Sequence, residues 1–432
     1  MVNNFLRQAL TNQIPQKRDV INNGIAPEEL LKKQNLVVEN IEPATFEINQ
    51  DNQNYIGINF SPELDQKFPP HVAKLYIEAE NGKYRIRAHH ASQKEPFNTE
   101  LSQPPILSFS QQLEGENVTD KLRQISGRMR MFSQENSEAK KIRCWLLKLK
   151  QKLNLSCIVI HDRTEFEIPW EMLELLENDY LGASLITVRW QDIEDSNCWE
   201  ETNKLVNLEF QPEYCCGNIV AYTNTKDFKN IEQEINIINQ FQSQCFQKID
   251  EFLTHLEQLN SEVSLMFIAS HGFFGQNISQ MCLGEEDPKQ RISLTQIYDY
   301  DFEFFKTSRS IVFMNACHSG RLRRDETLDI INNNYRFGFP TFFLKKGARG
   351  VIGTLGKVID KYAAQITNNF FTEYQRNPDL PVAAILKNIR AEAAQQFKAN
   401  KTEDNRKLFI FTFMYIYYGN PMTTLQLTPK GE

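Results

Sequence analysis

The chain has 432 residues, which is longer than one ordinary domain and indicates two or three domains. Hydrophobic residues make up 41% of the chain and charged residues 24%, which allows a real core, and no apolar run is long enough to predict a membrane span. The net charge of −7, without a long basic stretch, predicts no nucleic-acid-binding footprint. Since the N-terminus has no apolar signal segment, we expect a cytoplasmic protein with reduced thiols.

The first 105 residues are predicted to form a small α+β module. Residues 1–40 carry polar helical patterns, and strand-like segments follow as far as His90. Asn81 and Gly82 predict a tight hairpin turn between the last two of these strands. No catalytic constellation occurs in this part of the chain. We therefore expect a recognition or regulatory module at 1–105, through which a sensor or activator complex would act, and a linker at 106–130.

From residue 131 onwards the pattern alternates between strands and helices. Amphipathic helical stripes separate short strands that are apolar on both faces, which is typical of a parallel sheet covered by helices. The fold class predicted for 131–432 is therefore α/β, with a mostly parallel sheet and helices on both of its faces. The longest apolar stretch, at 408–418, predicts one more strand. The five short apolar strands are predicted at 157–160, 219–222, 265–269, 311–314 and 351–354.

Two of the predicted strands end in reactive side chains. The strand at 265–269 leads into His271 and Gly272, and the strand at 311–314 leads into Cys317. In a parallel α/β sheet, ligands bind at the carboxyl ends of the strands. The stretch between the two residues leaves room for a loop, a crossover helix and a return strand, so the strands are predicted to be neighbours, with His271 facing Cys317.

A histidine beside a cysteine is the arrangement that nucleophilic thiol chemistry requires. A thiol becomes a strong nucleophile only as a thiolate, and a nearby imidazole favours that ion and handles its proton. Gly272 has no side chain, so its backbone N–H can approach a substrate carbonyl and form an oxyanion hole with the N–H of Cys317. We therefore predict a catalytic pair of Cys317 as nucleophile and His271 as base.

Simpler interpretations compete with this one. Free cysteine is among the most buried residue types, so an arbitrary cysteine such as Cys317 is more often a small core residue. His318 adjoins the cysteine, but side chains that leave a strand in succession point to opposite faces. His161 also follows an apolar strand, and it lacks a neighbouring glycine or cysteine. The combination of His271, Gly272 and Cys317 favours the catalytic interpretation.

At these residues the chain resembles the caspase-like cysteine peptidases of clan CD, and in particular their bacterial CHAT group. Caspases carry Gln-Ala-Cys with a histidine about fifty residues upstream, and this chain has Asn315, Ala316 and Cys317 downstream of His271. Further CHAT-like segments are Ile-Pro-Trp-Glu-Met-Leu at 168–173, a glycine-rich strand at 346–355 and Tyr-Gly-Asn-Pro at 418–421.

The resemblance implies a Cys–His dyad without an obligatory third carboxylate, and it implies neither cofactor nor metal. It implies hydrolysis of a protein substrate at a defined residue, by a regulated effector of bacterial defence or programmed cell death that a sensor switches on. Two alternatives are an inactive caspase fold that serves as a scaffold and a cysteine hydrolase of small acyl substrates. The intact His271, Gly272 and Cys317 argue against the scaffold.

The predicted substrate pocket departs from one pattern of this family. Members that cleave after basic residues usually have an acid two positions before the cysteine, where this chain has Asn315. Asp360 or another acid would then have to supply the charge. Beyond the nucleophile, the basic stretch at 321–324 predicts a solvated loop or, alternatively, a processed activation loop that reaches residue 337. The candidate substrate-binding residues are Asn315, Thr354, Leu355, Gly356 and Asp360.

Overall fold

The central sheet of this protein contains 14 strands within the part of the chain that the structure describes. The structure is a computed structural model, which describes residues 68–107, 118–191, 210, 212–259, 261–324 and 336–431. The helices and strands predicted before residue 68 lie outside these ranges.

The strands in chain order are β1 (Val72–Glu80), β2 (Lys83–His90), β3 (Phe97–Asn98), β4 (Cys157–Asp162), β5 (Glu174–Leu176), β6 (Asp179–Tyr180), β7 (Ile186–Arg189), β8 (Glu213–Thr223), β9 (Ser243–Phe246), β10 (Val263–Phe273), β11 (Cys282–Gly284), β12 (Arg291–Ser293), β13 (Ile311–Ala316), β14 (Gly350–Thr354), β15 (Tyr415–Gly419) and β16 (Thr423–Leu427). The α-helices are α1 (Val118–Glu135), α2 (Ser137–Leu153), α3 (Leu181–Ser184), α4 (Ile231–Ile238), α5 (Ile249–Glu257), α6 (Leu294–Ile297), α7 (Phe304–Thr307), α8 (Phe339–Lys346), α9 (Asp360–Arg376), α10 (Val382–Ala399) and α11 (Glu403–Met414).

Hydrogen bonds join eleven of these strands in the order β9, β8, β10, β13, β14, β15, β7, β4, β1, β2 and β3; in addition β11 pairs with β10, β12 with β11 and β16 with β8. Neighbours pair in parallel from β9 to β14 and again from β15 to β1, whereas β14–β15, β1–β2 and β2–β3 are antiparallel. Helices pack against these strands, for example α4 and α5 against β8 and α10 against β7. The predicted fold class, an α/β protein with a mostly parallel sheet, is confirmed. None of the described helices is both long and apolar enough to cross a membrane.

The five strands predicted from short apolar segments all form, as β4, β8, β10, β13 and β14. Every residue of β13 is buried, which is the reason that its sequence shows no alternation of polar and apolar residues. The predicted hairpin is also confirmed. Asn81 and Gly82 have φ angles of 52° and 73°, and the tight turn between β1 and β2 needs positive φ at both positions.

The strand predicted at 408–418 is wrong for most of its length. Residues Glu403–Met414 form α11, and only the residues from Tyr415 onwards form β15. Thr402 starts the helix by accepting a hydrogen bond from the backbone nitrogen of Asn405 at 3.3 Å. Residues 408–414 are all buried, so this part of α11 is apolar on all sides and its sequence lacks a helical period.

The described part of the predicted N-terminal module belongs to the central sheet. β1 pairs in parallel with β4, in a register that runs from Val72 opposite Cys157 to Ile77 opposite Asp162. α1 begins inside the stretch predicted as a linker at 106–130. The sheet thus crosses the predicted boundary at residue 105, and the recognition role assigned to 1–105 stays a prediction.

A buried ion pair stabilises the half of the sheet around β4 and β7. Arg189 donates to Glu171 from Nε at 3.0 Å and from Nη2 at 2.7 Å, and both side chains are almost fully buried. Trp170 donates from Nε1 to Asp162 Oδ2 at 2.8 Å. Glu171 and Trp170, in the segment at 168–173, are therefore structural residues here, because buried charges and polar groups require partners of this kind.

Candidate active site

Parallel pairing of β10 with β13 places His271 next to Cys317 in register. The last register pair is Ser270 with Ala316, and His271 and Cys317 are the residues that follow. The prediction that these two strands are neighbours is confirmed. β10 is longer than predicted, since it continues to Phe273 and pairs antiparallel with β11. His271 therefore lies on a strand and not in a loop.

Gly272 lies against the backbone of the candidate nucleophile. A Cβ atom at this position would be 1.9 Å from the carbonyl oxygen of Cys317 and 3.0 Å from its nitrogen. Any side chain would collide with that backbone, so the close approach of the two segments requires glycine. The contact brings the backbones of Gly272 and Cys317 close together, and the oxyanion hole stays a prediction.

The Cys317 thiol is half-buried in the turn that follows β13. The backbone nitrogen of Val358 donates to Sγ at 3.5 Å, and Sγ lies 3.7 Å from the carbonyl oxygen of the same residue. Burial raises the pKa of the thiol, and the hydrogen bond from Val358 offsets part of this rise. In this state Cys317 is therefore protonated at neutral pH and hydrogen-bonded to Val358.

The His271 ring is half-buried beside the ring of Phe228, with 4.6 Å between the centroids. Nε2 lies 3.5 Å from Asp227 Oδ2, and it has no hydrogen-bond partner among the described residues. Burial lowers the pKa of the imidazole, and the negative charge of Asp227 offsets part of that effect. The ring is therefore neutral at neutral pH and available to accept a proton.

Asp227 is absent from the predicted site residues, yet it faces the candidate base. Its Oδ2 accepts hydrogen bonds from Asn224 Nδ2 at 2.8 Å and from the backbone nitrogen of Glu286 at 2.9 Å. Burial opposes ionisation of Asp227, but these hydrogen bonds and the neighbouring His271 hold the pKa of the carboxyl below its usual value. Asp227 is thus a fixed carboxylate that favours a positive charge on His271.

The same neighbourhood contains a grouping of side chains able to hold a metal ion. In the described residues, the ligand atoms of Asp227, His271 and Glu286 lie within 4.8 Å of one another. A metal at this position would take up His271 Nε2 and remove the imidazole from proton transfer. Metal binding and proton transfer at Nε2 are therefore alternative uses of the same atom.

A cavity that is partly open to solvent lies beside Cys317. Two carboxylates line it: Glu234 on α4 and Asp360 at the first position of α9. Glu234 is buried, whereas Asp360 is half-buried. Burial raises the pKa of Glu234 to about 8, and the charge of Asp360 adds to the rise. The apolar walls of the cavity are Phe228, Ile231, Val358 and Ala363.

Asn315, a predicted substrate-binding residue, lines this cavity and is fully engaged within the protein. Its Nδ2 donates to Glu234 Oε2 at 2.7 Å and to Thr367 Oγ1 at 3.1 Å. Its Oδ1 accepts a hydrogen bond from the hydroxyl of Tyr415. Because both ends of the amide have partners, Asn315 holds Glu234 in position at the cavity wall.

The structure does not bring Thr354, Leu355 and Gly356 into the lining of this cavity. Thr354 Oγ1 donates to the carbonyl oxygen of Ala316 at 2.7 Å, and the carbonyl oxygen of Gly356 accepts from the nitrogen of His318 at 3.1 Å. Leu355 lines a second cavity, which is also partly open to solvent. Thr354 and Gly356 thus hold the turn that carries Cys317, whereas Asn315 and Asp360 reach the cavity beside it.

His318 occupies an uncommon conformation, with a φ of 61°. Its Nδ1 lies 3.5 Å from an Arg321 guanidinium nitrogen. Burial, together with the positive charge of Arg321, lowers the pKa of His318 to about 4. An imidazole with so low a pKa is a poor proton acceptor at neutral pH, which favours His271 as the base.

The basic stretch at 321–324 is more buried than the predicted solvated loop would be. Arg321 is 7% exposed, forms an ion pair with Glu167, and lies 4.0 Å from the centroid of the Phe274 ring. Arg324 is exposed, and its backbone nitrogen donates to Glu165 at 3.0 Å. Residues 325–335 lie outside the described ranges, so processing of this loop stays a prediction.

Sequence reasoning missed two acids that the structure places at the site. Asp227 follows β8, whose carboxyl end lies at the same edge of the sheet as the ends of β10 and β13. Glu234 stands between Ile231 and Ile238 on the buried face of α4. A charged residue at an apolar position of a helical stripe is a usable signal, because an unpaired charge is seldom buried without a purpose.

Comparison with known proteins agrees with the resemblance inferred from the motifs. Residues 216–408, which contain both His271 and Cys317, match the family model of the CHAT domain. No curated protein matches the chain. The predicted resemblance to the CHAT group is confirmed for the matched segment.

Matches among solved structures include separase of Saccharomyces cerevisiae in its complex with securin. That match has a TM-score of 0.48 and 12% identity, and covers 82% of this chain and 30% of the separase chain. The Arg-specific cysteine proteinase gingipain R matches with a TM-score of 0.37 and 10% identity, over 66% of this chain and 68% of that chain. The complex of the Porphyromonas gingivalis RgpB pro- and mature domains matches with a TM-score of 0.36.

Proposed function

We propose that the CHAT domain of this chain is an active cysteine endopeptidase, with Cys317 as nucleophile and His271 as general base and acid. One observation carries the proposal. The register of β10 and β13 aligns the two residues at one edge of the sheet, and the Gly272 backbone contacts that of Cys317. A buried structural cysteine would need neither an adjacent neutral imidazole nor an open cavity beside its sulfur.

The chemistry follows from these positions. The Cys317 proton passes to His271, and the sulfur attacks the carbonyl carbon of the scissile peptide bond. The N–H groups of Gly272 and Cys317 stabilise the resulting oxyanion. The imidazolium then donates its proton to the leaving amine, which gives a thioester on Cys317. Water attacks this thioester with His271 as base, and release of the carboxylic acid restores the thiol.

The described state is a resting state of this machinery. The Cys317 pKa is raised and the His271 pKa is lowered, so the pair is neutral before substrate binds. Proton transfer creates an imidazolium, and the fixed carboxylate of Asp227 stabilises that charge. We assign Asp227 as a positioning residue. Catalytic hydrogen bonds that are open in a resting enzyme commonly close when substrate binds.

The proposal is tested by proteomic labelling of new protein N-termini in cells that express the wild type or Cys317→Ala. We expect new termini that share one residue before the cleaved bond and that disappear in the variant. Cys282→Ala is the matched control, because this thiol on β11 is also half-buried. The control should keep the cleavage pattern. Identical termini in the wild type and Cys317→Ala would instead support an inactive scaffold.

The predicted biological setting rests on the resemblance to the CHAT group. A sensor or activator that acts through residues 1–105, and a role in defence or cell death, remain part of this proposal. Cleavage that begins only after the activator is co-expressed with the full chain would support them.

A further inference from the structure

Three segments of the chain meet beside His271, and each contributes a side chain that can bind a metal ion. The segment after β8 supplies Asp227, β10 supplies His271, and the segment after β11 supplies Glu286. The ligand atoms of the three side chains lie within 4.8 Å of one another. His271 pairs with Gly284 in the register of β10 and β11, which brings the following residues of the chain towards the histidine. The pairing of the strands therefore assembles the three side chains.

Direct contacts hold the two segments that carry the carboxylates against each other. The backbone nitrogen of Glu286 donates to Asp227 Oδ2 at 2.9 Å, and Asn224 Nδ2 donates to the same oxygen at 2.8 Å. Lys226 Nζ forms an ion pair with Glu285 Oε2 at 2.6 Å, between the same two segments. The backbones that carry both carboxylates are thus positioned before a ligand binds, as a preformed binding site requires.

The distance between His271 and Asp227 suits two ligands of one metal ion. Nε2 lies 3.5 Å from Asp227 Oδ2, and no described residue forms a hydrogen bond with Nε2. Two atoms bound to one zinc ion at about 2.0–2.1 Å with tetrahedral angles are about 3.4 Å apart. Although part of the ring is exposed, Nε2 itself has almost no contact with solvent, and an enclosed nitrogen without a partner is costly. A cation bound to both atoms would remove that cost.

Glu286 approaches the pair from the solvent side. Its side chain is exposed, so rotation of the carboxylate can shorten a separation of up to 4.8 Å. Within the described residues, no lysine or arginine forms an ion pair with Asp227 or Glu286. Lys226 pairs with Glu285, and the Arg291 guanidinium donates to the backbone carbonyl oxygens of Glu285 and Glu286. The negative charge of the two carboxylates therefore remains available to a cation.

We propose that Asp227, His271 and Glu286 form a binding site for a zinc ion, and that bound zinc switches off the peptidase. A set of one imidazole and two carboxylates suits zinc, whereas calcium and magnesium prefer oxygen ligands alone. The inhibition rests on the proposed peptidase function, and the binding of zinc does not.

Zinc on Nε2 would stop the reaction because of the electronic structure of the imidazole ring. In a neutral imidazole one nitrogen has a free lone pair and the other carries a hydrogen. When zinc takes up the lone pair of Nε2, the hydrogen is on Nδ1, and neither nitrogen of His271 can accept the proton of Cys317. The thiol then stays protonated and does not attack the substrate. Removal of zinc frees the lone pair, so the inhibition is reversible.

Zinc binding is tested on the full chain with Cys317→Ala, which removes the nucleophile as a competing ligand. Competition with a chromophoric chelator measures the Kd for zinc. Added to Cys317→Ala, His271→Ala should weaken binding at least about 100-fold, and Asp227→Asn or Glu286→Gln at least about tenfold. Millimolar calcium or magnesium should not displace the zinc.

His255→Ala is the matched control for the binding experiment. This histidine on α5 is also half-buried, and its Nε2 likewise has no hydrogen-bond partner among the described residues. The variant should bind zinc as tightly as the parent chain. Thermal unfolding in EDTA would verify that each variant is folded.

Inhibition is tested on the wild type with a peptide that spans a cleavage site found by the labelling of new N-termini. Saturating zinc should slow cleavage at least about tenfold, and EDTA should restore it. Glu286→Gln should need at least about tenfold more zinc for half-inhibition, relative to its own rate in EDTA. His255→Ala should need the same concentration as the wild type.

The inference is wrong if the three ligand substitutions leave zinc affinity unchanged, if Cys317→Ala abolishes binding, or if saturating zinc does not slow cleavage. Its failure is distinguishable from failure of the peptidase proposal. Cleavage that zinc does not affect would overturn this inference and leave the peptidase intact. Zinc bound through these three residues, in a chain that never produces new termini, would overturn the peptidase and leave the metal site.

Discussion

Each half of the sheet has a histidine near the end of a strand, His161 on β4 and His271 on β10, and the surroundings of the two side chains differ. His161 on β4 is fully buried, with its ring 4.9 Å from that of Tyr76, and the nearby charges of Glu171 and Arg189 neutralise each other. His271 on β10 keeps 26% of its side chain exposed, and its Nε2 has no hydrogen-bond partner among the described residues. Position at a strand end therefore does not by itself make a functional site; the neighbouring thiol of Cys317 distinguishes the second half.

The largest effect expected from this contrast concerns the two histidines. His271→Ala should lower kcat/KM by about 10³- to 10⁴-fold, because it removes the proton acceptor and donor. It should leave the free energy of unfolding nearly unchanged, since the ring is half-buried. His161→Ala should do the reverse and destabilise the fold by about 2–5 kcal/mol while the folded fraction stays active.

Peptide-cleavage kinetics and urea unfolding of both variants measure these effects. A stable, inactive His161→Ala protein, or an active His271→Ala protein, would remove the difference between the two halves. The comparison requires each rate to be normalised to the folded fraction, which near-UV circular dichroism supplies.

The next largest effect concerns Gly272. Gly272→Ala would place a methyl group 1.9 Å from the carbonyl oxygen of Cys317, so one of the two backbones must move. We expect a loss of about 10²- to 10³-fold in kcat, similar to the loss of one oxyanion-hole donor. Gly127→Ala is the matched control. This glycine lies within α1 with no atom near its Cβ position, so the change should stabilise the helix by about 0.5–1 kcal/mol and leave kcat unaltered.

Equal effects of the two glycine substitutions on kcat would show that the contact with Cys317 does not matter for the chemistry. A thiol-reactivity measurement adds a second readout, because a displaced Cys317 should react with iodoacetamide at an altered rate even without substrate.

The sequence predicts the part of the site that depends on sheet topology. Apolar strands separated by helices imply a parallel sheet, and the strands of such a sheet end at one edge, so the sequence alone predicts that His271 and Cys317 lie together. The prediction failed where local pattern and tertiary packing disagree. Residues 408–414 have the composition of a strand but form a helix. They are buried on all sides, so their sequence lacks the alternation of polar and apolar residues from which a helix is predicted.

The two acids of the site were beyond sequence reasoning for a different reason. Asp227 reaches His271 through a turn whose shape depends on hydrogen bonds from Asn224 and Glu286. Glu234 reaches the cavity because α4 packs beside the end of β13, where Asn315 bonds to it. Such contacts join segments that are distant in sequence, and their geometry is set by side-chain packing, which spacing along the chain does not encode.

The smallest effect expected within the site concerns Asp227. Asp227→Asn removes the negative charge that offsets part of the burial effect on His271, so the pKa of the imidazole should fall further. Activity requires the neutral ring, and the acid limb of the kcat/KM profile should therefore move to lower pH. The plateau should fall roughly tenfold, the equivalent of about one pKa unit of lost imidazolium stabilisation. Asp250→Asn, at an exposed position on α5, should change neither quantity. An acid limb that moves to higher pH in Asp227→Asn would show that Asp227 does not act through the charge of His271.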